Sequence, residues 1–157
     1  MDREQLESIQ SLLQSTRVLS LAYLDGDVPE AALLPFAPRD DCRVLYVQAS
    51  SLARHSRALQ TGARVGILVH AQDSGKTNPM QLSRLSVGAL VSRVDQGSAE
   101  YDAAAAQFIT RFPAAKMTLG FGDFGLYMLT LAEGRFVEGF ARAFEVTADT
   151  FAEITGL

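Results

Sequence analysis

Hydrophobic and polar positions alternate along much of this chain with a period of two, interrupted by a few stretches that read as helical. Leu6, Ile9, Leu12 and Leu13 are spaced by three and four, which predicts an amphipathic helix over residues 3–15. Val18 to Leu24 is rich in strand formers and runs into Asp25-Gly26-Asp27, a hairpin signal. The return strand spans residues 30–37. Pro29, Pro35 and Pro38 flank or interrupt it, which points to an edge or a bulge. A turn at Pro38-Arg39-Asp40-Asp41 leads to a third strand at 44–47, so residues 18–47 read as a three-stranded meander.

A short helix is expected near residues 52–60, then a fourth strand at 65–69 and a polar loop at 71–79. Residues 80–94 alternate cleanly as a fifth strand, with Gly88 as a bend or bulge. Ser98 caps a helix over 99–111, whose four consecutive alanines favour it; Phe112-Pro113 ends it, and a shorter helix follows at 114–119. Phe124 to Leu131 is a strand, Glu133-Gly134 a turn, and Arg135 to Phe140 its antiparallel partner. A last short strand at 144–147 and a helical turn at 149–154 complete the chain. About seven strands joined mostly to their sequence neighbours suit a mainly β (α+β) fold: a small closed antiparallel split β-barrel of six to seven strands with flanking helices. All of it forms one domain over residues 1–157, with the N-terminal helix (1–16) packed on the barrel.

Composition narrows the function classes. A hydrophobic share of 48% against 20% charged residues supports a real core and argues against disorder. The net charge of −4 disfavours a nucleic-acid partner. No apolar run approaches a membrane span and the N-terminus has no apolar signal core, so the expectation is a cytoplasmic protein without a membrane partner. One cysteine, Cys42, allows no internal disulfide, and its aspartate neighbours would raise its pKa, so it reads as structural. With two histidines and one cysteine, a structural zinc site is nearly excluded and no metal is expected.

The stretch carrying most chemistry runs from Arg43 to His70. Between its two strands, Ser50 and Ser51 precede a short segment bearing Arg54, His55 and Arg57. Hydroxyls, free N–H groups at a helix start and nearby cations are what holds a phosphate. The same serines also serve as plain helix caps. His70 ends the next strand, where it either lines a flavin or haem pocket or is a satisfied strand-end residue. Lys76, in Ser74-Gly75-Lys76-Thr77, is not a P-loop lysine, because Val69 stands where the first glycine belongs.

Four segments carry a resemblance. Ser50-Ser51-Leu52-Ala53-Arg54-His55-Ser56-Arg57-Ala58-Leu59 looks like S-x-L-A-x-H-x-x-N-L with Ala58 at the Asn place, and Ala63 to Val69 looks like the strand after it. Arg84-Leu85-Ser86-Val87-Gly88 resembles an R-L-x-x-x-G strand shortened by one residue. Residues 121–127 and 135–143 resemble D-F-x-x-Y and V-x-G-F-G-R-A closing strands. In this order they resemble the FMN-binding split-barrel superfamily of pyridoxamine 5′-phosphate oxidase, its haem-iron-utilisation branch above all.

That resemblance implies a homodimer with FMN, or another small-molecule ligand, at the subunit interface. It implies a phosphate held by Ser50, Ser51, Arg54 and His55, with Arg57 on the same helix face as Arg54. Gln81, Ser83 and Arg84 fall where the superfamily contacts FMN, and Arg142 falls where a ligand or a carboxylate of the second subunit is reached. The expected activity is a flavin-dependent oxidoreductase of unidentified substrate and catalytic residues. It would not be a true pyridoxamine 5′-phosphate oxidase: the second strand, Ala31 to Phe36, has no cation, and no histidine follows His70 to supply a C-terminal substrate motif. The alternatives are haem binding or haem utilisation in the same fold, with His55 or His70 as metal ligand, and a dimeric binding module without a cofactor. The missing later histidine counts against haem ligation from the C-terminal side.

Overall fold

The computed structural model describes residues 1–156. Helix α1 (Arg3–Ser15) is followed by strands β1 (Val18–Asp25), β2 (Val28–Pro38), β3 (Val44–Ser50), β4 (Arg64–His70) and β5 (Arg84–Arg93). Then come α2 (Ala99–Arg111), α3 (Ala115–Thr118), β6 (Phe124–Gly139), β7 (Arg142–Val146) and α4 (Ala148–Ile154). All pairings are antiparallel in the order β3-β2-β1-β4-β5-β6-β7, and an additional β3–β6 ladder closes the first six strands into a barrel with β7 outside it. The expected barrel and flanking helices are therefore present. No helix among the described residues is long and apolar enough to cross a membrane.

Alternation decides which side chains enter the barrel. Leu19, Leu21 and Tyr23 of β1, Val65, Ile67 and Val69 of β4, and Leu85, Val87, Ala89 and Val91 of β5 all point inward and are buried. One end of this core is covered by Leu6, Ile9, Leu12 and Leu13 of α1 with Phe151 and Ile154 of α4. β3 is buried on both faces because its outward residues Val44 and Tyr46 join Leu126, Ala104 and Phe108 in a second core beneath α2 and α3. Helix α1 starts with a reciprocal capping box between Asp2 and Gln5.

β2 changes partner along its length. Val28 to Pro35 pair with β1, and Phe36 to Pro38 pair with β3. Each half therefore has one free flank, which is how a strand with three prolines is accommodated. The hairpin before it has Gly26 at the first loop position with φ of 64°.

Three expectations are corrected. Glu133-Gly134 is not a turn: β6 runs unbroken for 16 residues and pairs with β3 and β5 in its first half, then with β5 and β7 in its second. The alternation breaks there because of a bulge. Between the pairs Val87–Gly134 and Ala89–Leu131, Gly88 alone faces Ala132 and Glu133. The expected bend at Gly88 is present. The segment at 52–60 is a single 3-10 turn, Arg54–Ala58, with no side-chain cap, and so lacks the aligned peptides of an α-helix. Residues before Arg84 are outside β5, where Pro79–Gln81 form another 3-10 turn capped by Asn78.

A Cβ on Gly134 would sit 2.3 Å from the Ser86 carbonyl oxygen and 2.6 Å from Val87 Cα, so only glycine fits. Gly134→Ala is expected to lower the stability measured by urea unfolding by about 2–3 kcal/mol. Gly88→Ala, whose Cβ would meet Glu133 O at 3.6 Å, is the tolerated control.

Candidate functional site

The residues singled out in the sequence fall into two groups at opposite ends of the β4–β5 hairpin. Arg64 pairs with Leu90 at one end and His70 with Arg84 at the other, a span of about 20 Å.

At the first end is the basic turn after β3. Ser50 Oγ donates to Asp123 Oδ2 at 2.5 Å and accepts from the Leu52 N–H at 3.1 Å, while the Ser51 N–H donates to the Asp123 carbonyl at 2.7 Å. Arg54 lies against Glu30 (2.7 Å) and Asp25 (3.5 Å), and Arg57 against Asp25 (3.3 Å). His55 is half-buried, and burial lowers its pKa, so the ring is neutral at pH 7. Two guanidinium groups thus face two carboxylates of the β1–β2 hairpin, and a third carboxylate takes the serine hydroxyl. Of the donors read as a phosphate anchor, Ser50, Arg54 and Arg57 are each engaged by a carboxylate within the chain, whereas Ser51 meets only the Asp123 backbone carbonyl and His55 meets no acid among the described residues. Asp25 and Glu30 stand in the hairpin sequence, but nothing local to residues 50–57 announces that they fold beside it.

At the other end, Ser83 Oγ donates to the Glu138 carbonyl at 3.1 Å, and Arg84 Nη1 donates to the carbonyls of Met80 and Leu82. Arg142 Nη2 is 2.9 Å from Glu138 Oε2, too oblique for a hydrogen bond, so that shielded oxygen has no hydrogen-bond donor. The Glu138 Oε1 atom accepts from Ser8 of α1 at 2.8 Å. Gln81 is exposed beside this group. Glu138 is therefore the hub that ties α1, β5 and the β6–β7 hairpin, a role that its place in the Arg135–Ala143 segment did not reveal.

His70 stands at this same end. Its Nδ1 is 2.8 Å from the Ala71 carbonyl oxygen. A carbonyl only accepts, so Nδ1 carries the hydrogen in this contact, and in the neutral imidazole Nε2 is the nitrogen left with a lone pair. The imidazole lines a cavity of about 500 Å³ together with Ser15, Thr16, Arg17, Val18, Ala71 and Gln72, with apolar carbon forming most of its wall. This volume falls in the range of small-molecule pockets, roughly 300–1,000 Å³. The α1–β1 linker that walls it is held by Arg111 at the end of α2, whose guanidinium donates to the carbonyls of Leu13 and Thr16. α1 has no basic residue in its last turn, so Arg111 serves those carbonyls from another helix. Burial, and then neighbouring Arg17, lower the Arg111 pKa. Neither arginine was singled out in the sequence; their only signal was a cation at each end of an inter-element junction.

No family model matches the chain. In sequence it is 28% identical, over 151 residues covering 95% of this chain and 85% of the other, to the heme oxygenase HutZ of Vibrio cholerae. A solved structure of HutZ, described as a heme storage protein, has a TM-score of 0.72 with 26% identity over 82% of this chain and 90% of that one. A heme-binding protein from Mycobacterium smegmatis superposes with a TM-score of 0.85 at 23% identity; it covers 98% of this chain, which spans 62% of that protein's length. A Clostridium acetobutylicum protein of the pyridoxinephosphate oxidase family superposes at 0.70 with 12% identity, over 96% of this chain and 99% of the other. The chain has the pyridoxamine 5′-phosphate oxidase-like split-barrel fold. Its similarity in sequence runs toward haem-utilisation proteins of that fold.

Within this split barrel Cys42 is structural. It is buried with φ of 54°, and burial pushes its thiol up to about 11, with Asp41 and Asp40 adding to the effect. A thiolate is therefore scarce until strongly alkaline pH. Native protein is expected to resist iodoacetamide at pH 8 and to alkylate rapidly once unfolded in guanidinium; mass spectrometry of the two samples checks this.

Proposed function

We propose that this split barrel binds haem, with His70 as the side chain offered to the iron through Nε2. The carrying observation is the Nδ1–H to Ala71 carbonyl bond, which orients the ring and leaves the other nitrogen unprotonated, the arrangement seen in metal-ligating histidines. The mostly apolar cavity beside it suits a flat macrocycle edge. The likeness to HutZ and to the Mycobacterium smegmatis protein supports the same reading. When bound, haem iron would supply ligand binding and electron transfer; the chain would orient the imidazole.

This reading is preferred to FMN binding because of charge. An FMN phosphate at the basic turn would meet Asp25 and Glu30, which already pair with Arg54 and Arg57, and Asp123, which already takes the Ser50 hydroxyl. The earlier absence of a cation on β2 works in the same direction. Neutral, half-buried His55 is the competing iron ligand.

Titration of purified protein with hemin is expected to give a Soret band. His70→Ala should weaken binding by more than the about 10–100-fold that losing an outer-shell partner costs, whereas His55→Ala should leave it unchanged. Equal binding by wild type and His70→Ala would reject His70 as ligand. FMN under the same conditions should show no saturable quenching.

We also propose that two copies pair through the outward face of β2, β1, β4 and β5. Leu33, Leu24, Leu68 and Leu90 stand exposed there around a row of small residues, Ala31, Ala22, Gly66 and Gly88. Light scattering should give twice the chain mass, and Leu68→Glu should give one.

A further inference from the structure

The cavity beside His70 has a charged side chain at its wall, Arg17, with no ion-pair partner among the described residues. Arg17 lines it, and its guanidinium carbon sits 4.9 Å over the centre of the Phe112 ring, with Nη2 near the Arg111 carbonyl at 3.4 Å. Arg111 follows directly behind, its Nε shielded from solvent and without an acceptor. Among the described residues no carboxylate lies within ion-pair distance of Arg17 or Arg111; Arg43, Arg64, Arg84 and Arg93 are likewise unpaired, but of these six only Arg17 lines the cavity with His70. An anion at Arg17 would offset the repulsion between the two neighbouring guanidinium groups.

The side chain of Arg17 is also prepared for a planar anion. Stacking on Phe112 limits its rotamers, and the weak contact to the Arg111 carbonyl leaves most of its five N–H groups free. A guanidinium so held takes a carboxylate through two parallel hydrogen bonds. Arg17 and His70 line the same cavity, so a ligand with an apolar ring at the imidazole and a carboxylate on its periphery would meet both.

We propose that Arg17 is the carboxylate-recognition residue of this cavity and binds a propionate of haem. The proposal rests on the haem reading above. Arg111 acts behind it as a positioning residue, holding the Leu13–Thr16 linker from which Arg17 projects.

The experiment compares hemin with hemin dimethyl ester, which keeps the iron and ring but lacks both carboxylates, on wild type, Arg17→Gln and Arg17→Lys, with circular dichroism to establish that each is folded. Wild type should prefer hemin over the ester by about ten- to a hundredfold. Arg17→Gln should bind hemin as weakly as the ester, with its Soret position unchanged because His70 is intact. Arg17→Lys should recover part of the preference. Should Arg17→Gln keep the wild-type preference and a His70-dependent Soret band, Arg17 has no such role and the haem reading stands. If wild type shows no His70-dependent band with either compound, the haem reading falls and this proposal with it. If Arg17→Gln does not fold, Arg17→Lys decides: a preference reduced below wild type, with raised salt sensitivity, supports recognition by Arg17, and a preference and salt sensitivity equal to wild type overturn it.

Discussion

Closing an antiparallel sheet into a barrel requires one strand to reach both ends of it, and in this chain β6 does so. Its first half is hydrogen-bonded to β3 on one side and β5 on the other, which seals the barrel. Its second half leaves the barrel wall to carry β7 and, through Glu138, to meet α1. One strand can serve both surfaces only because the two-against-one bulge at Ala132–Glu133 bends it where Gly134 lets the β5 backbone approach. The candidate cavity inherits its position from that bend. β5 begins, β4 ends and α1 closes over the barrel at the same end.

The polar groups at the two ends of the hairpin differ in what they leave over. At the basic turn, cations and hydroxyls meet the acids of β1, β2 and the Asp123 loop, so the local charge is satisfied within the chain. At the His70 end, Arg111 is spent on helix carbonyls and Arg17 on an aromatic face, and neither has a carboxylate partner among the described residues. A fold that hosts several cofactors is informative about ligand only at this level, where the remaining charge and lone pairs select the chemistry. An imidazole with a committed Nδ1 beside the Arg17 guanidinium is a different set of groups from a phosphate cradle.

Much of the barrel was legible in the sequence because its elements are set by local rules. Period-two alternation in β1, β4 and β5 put the right residues inside, since a one-residue slip would have turned every one of them outward. The α1 stripe, the Asp25-Gly26 hairpin, the Ser98 cap and the Gly88 irregularity are likewise short-range facts. The boundaries that failed, at Glu133-Gly134 and at residues 52–60, are places where neighbouring strands override what the segment prefers by itself. A Glu-Gly pair reads as a turn until β5 packs against it, and a basic run reads as a helix until its side chains are drawn to the hairpin.

What the sequence determined alone was most of the strands up to β5, the alternation that sets their inward face, and the charge inventory, because each depends on residues within a few positions of one another. Which arginine is free to meet a ligand was decided only by tertiary structure. Asp25 and Glu30 reach Arg54 across 29 and 24 positions, Arg111 reaches Thr16 across 95, and Arg17 is left facing Phe112. Ion pairing depends on separation in space, and only closure of the barrel sets those separations.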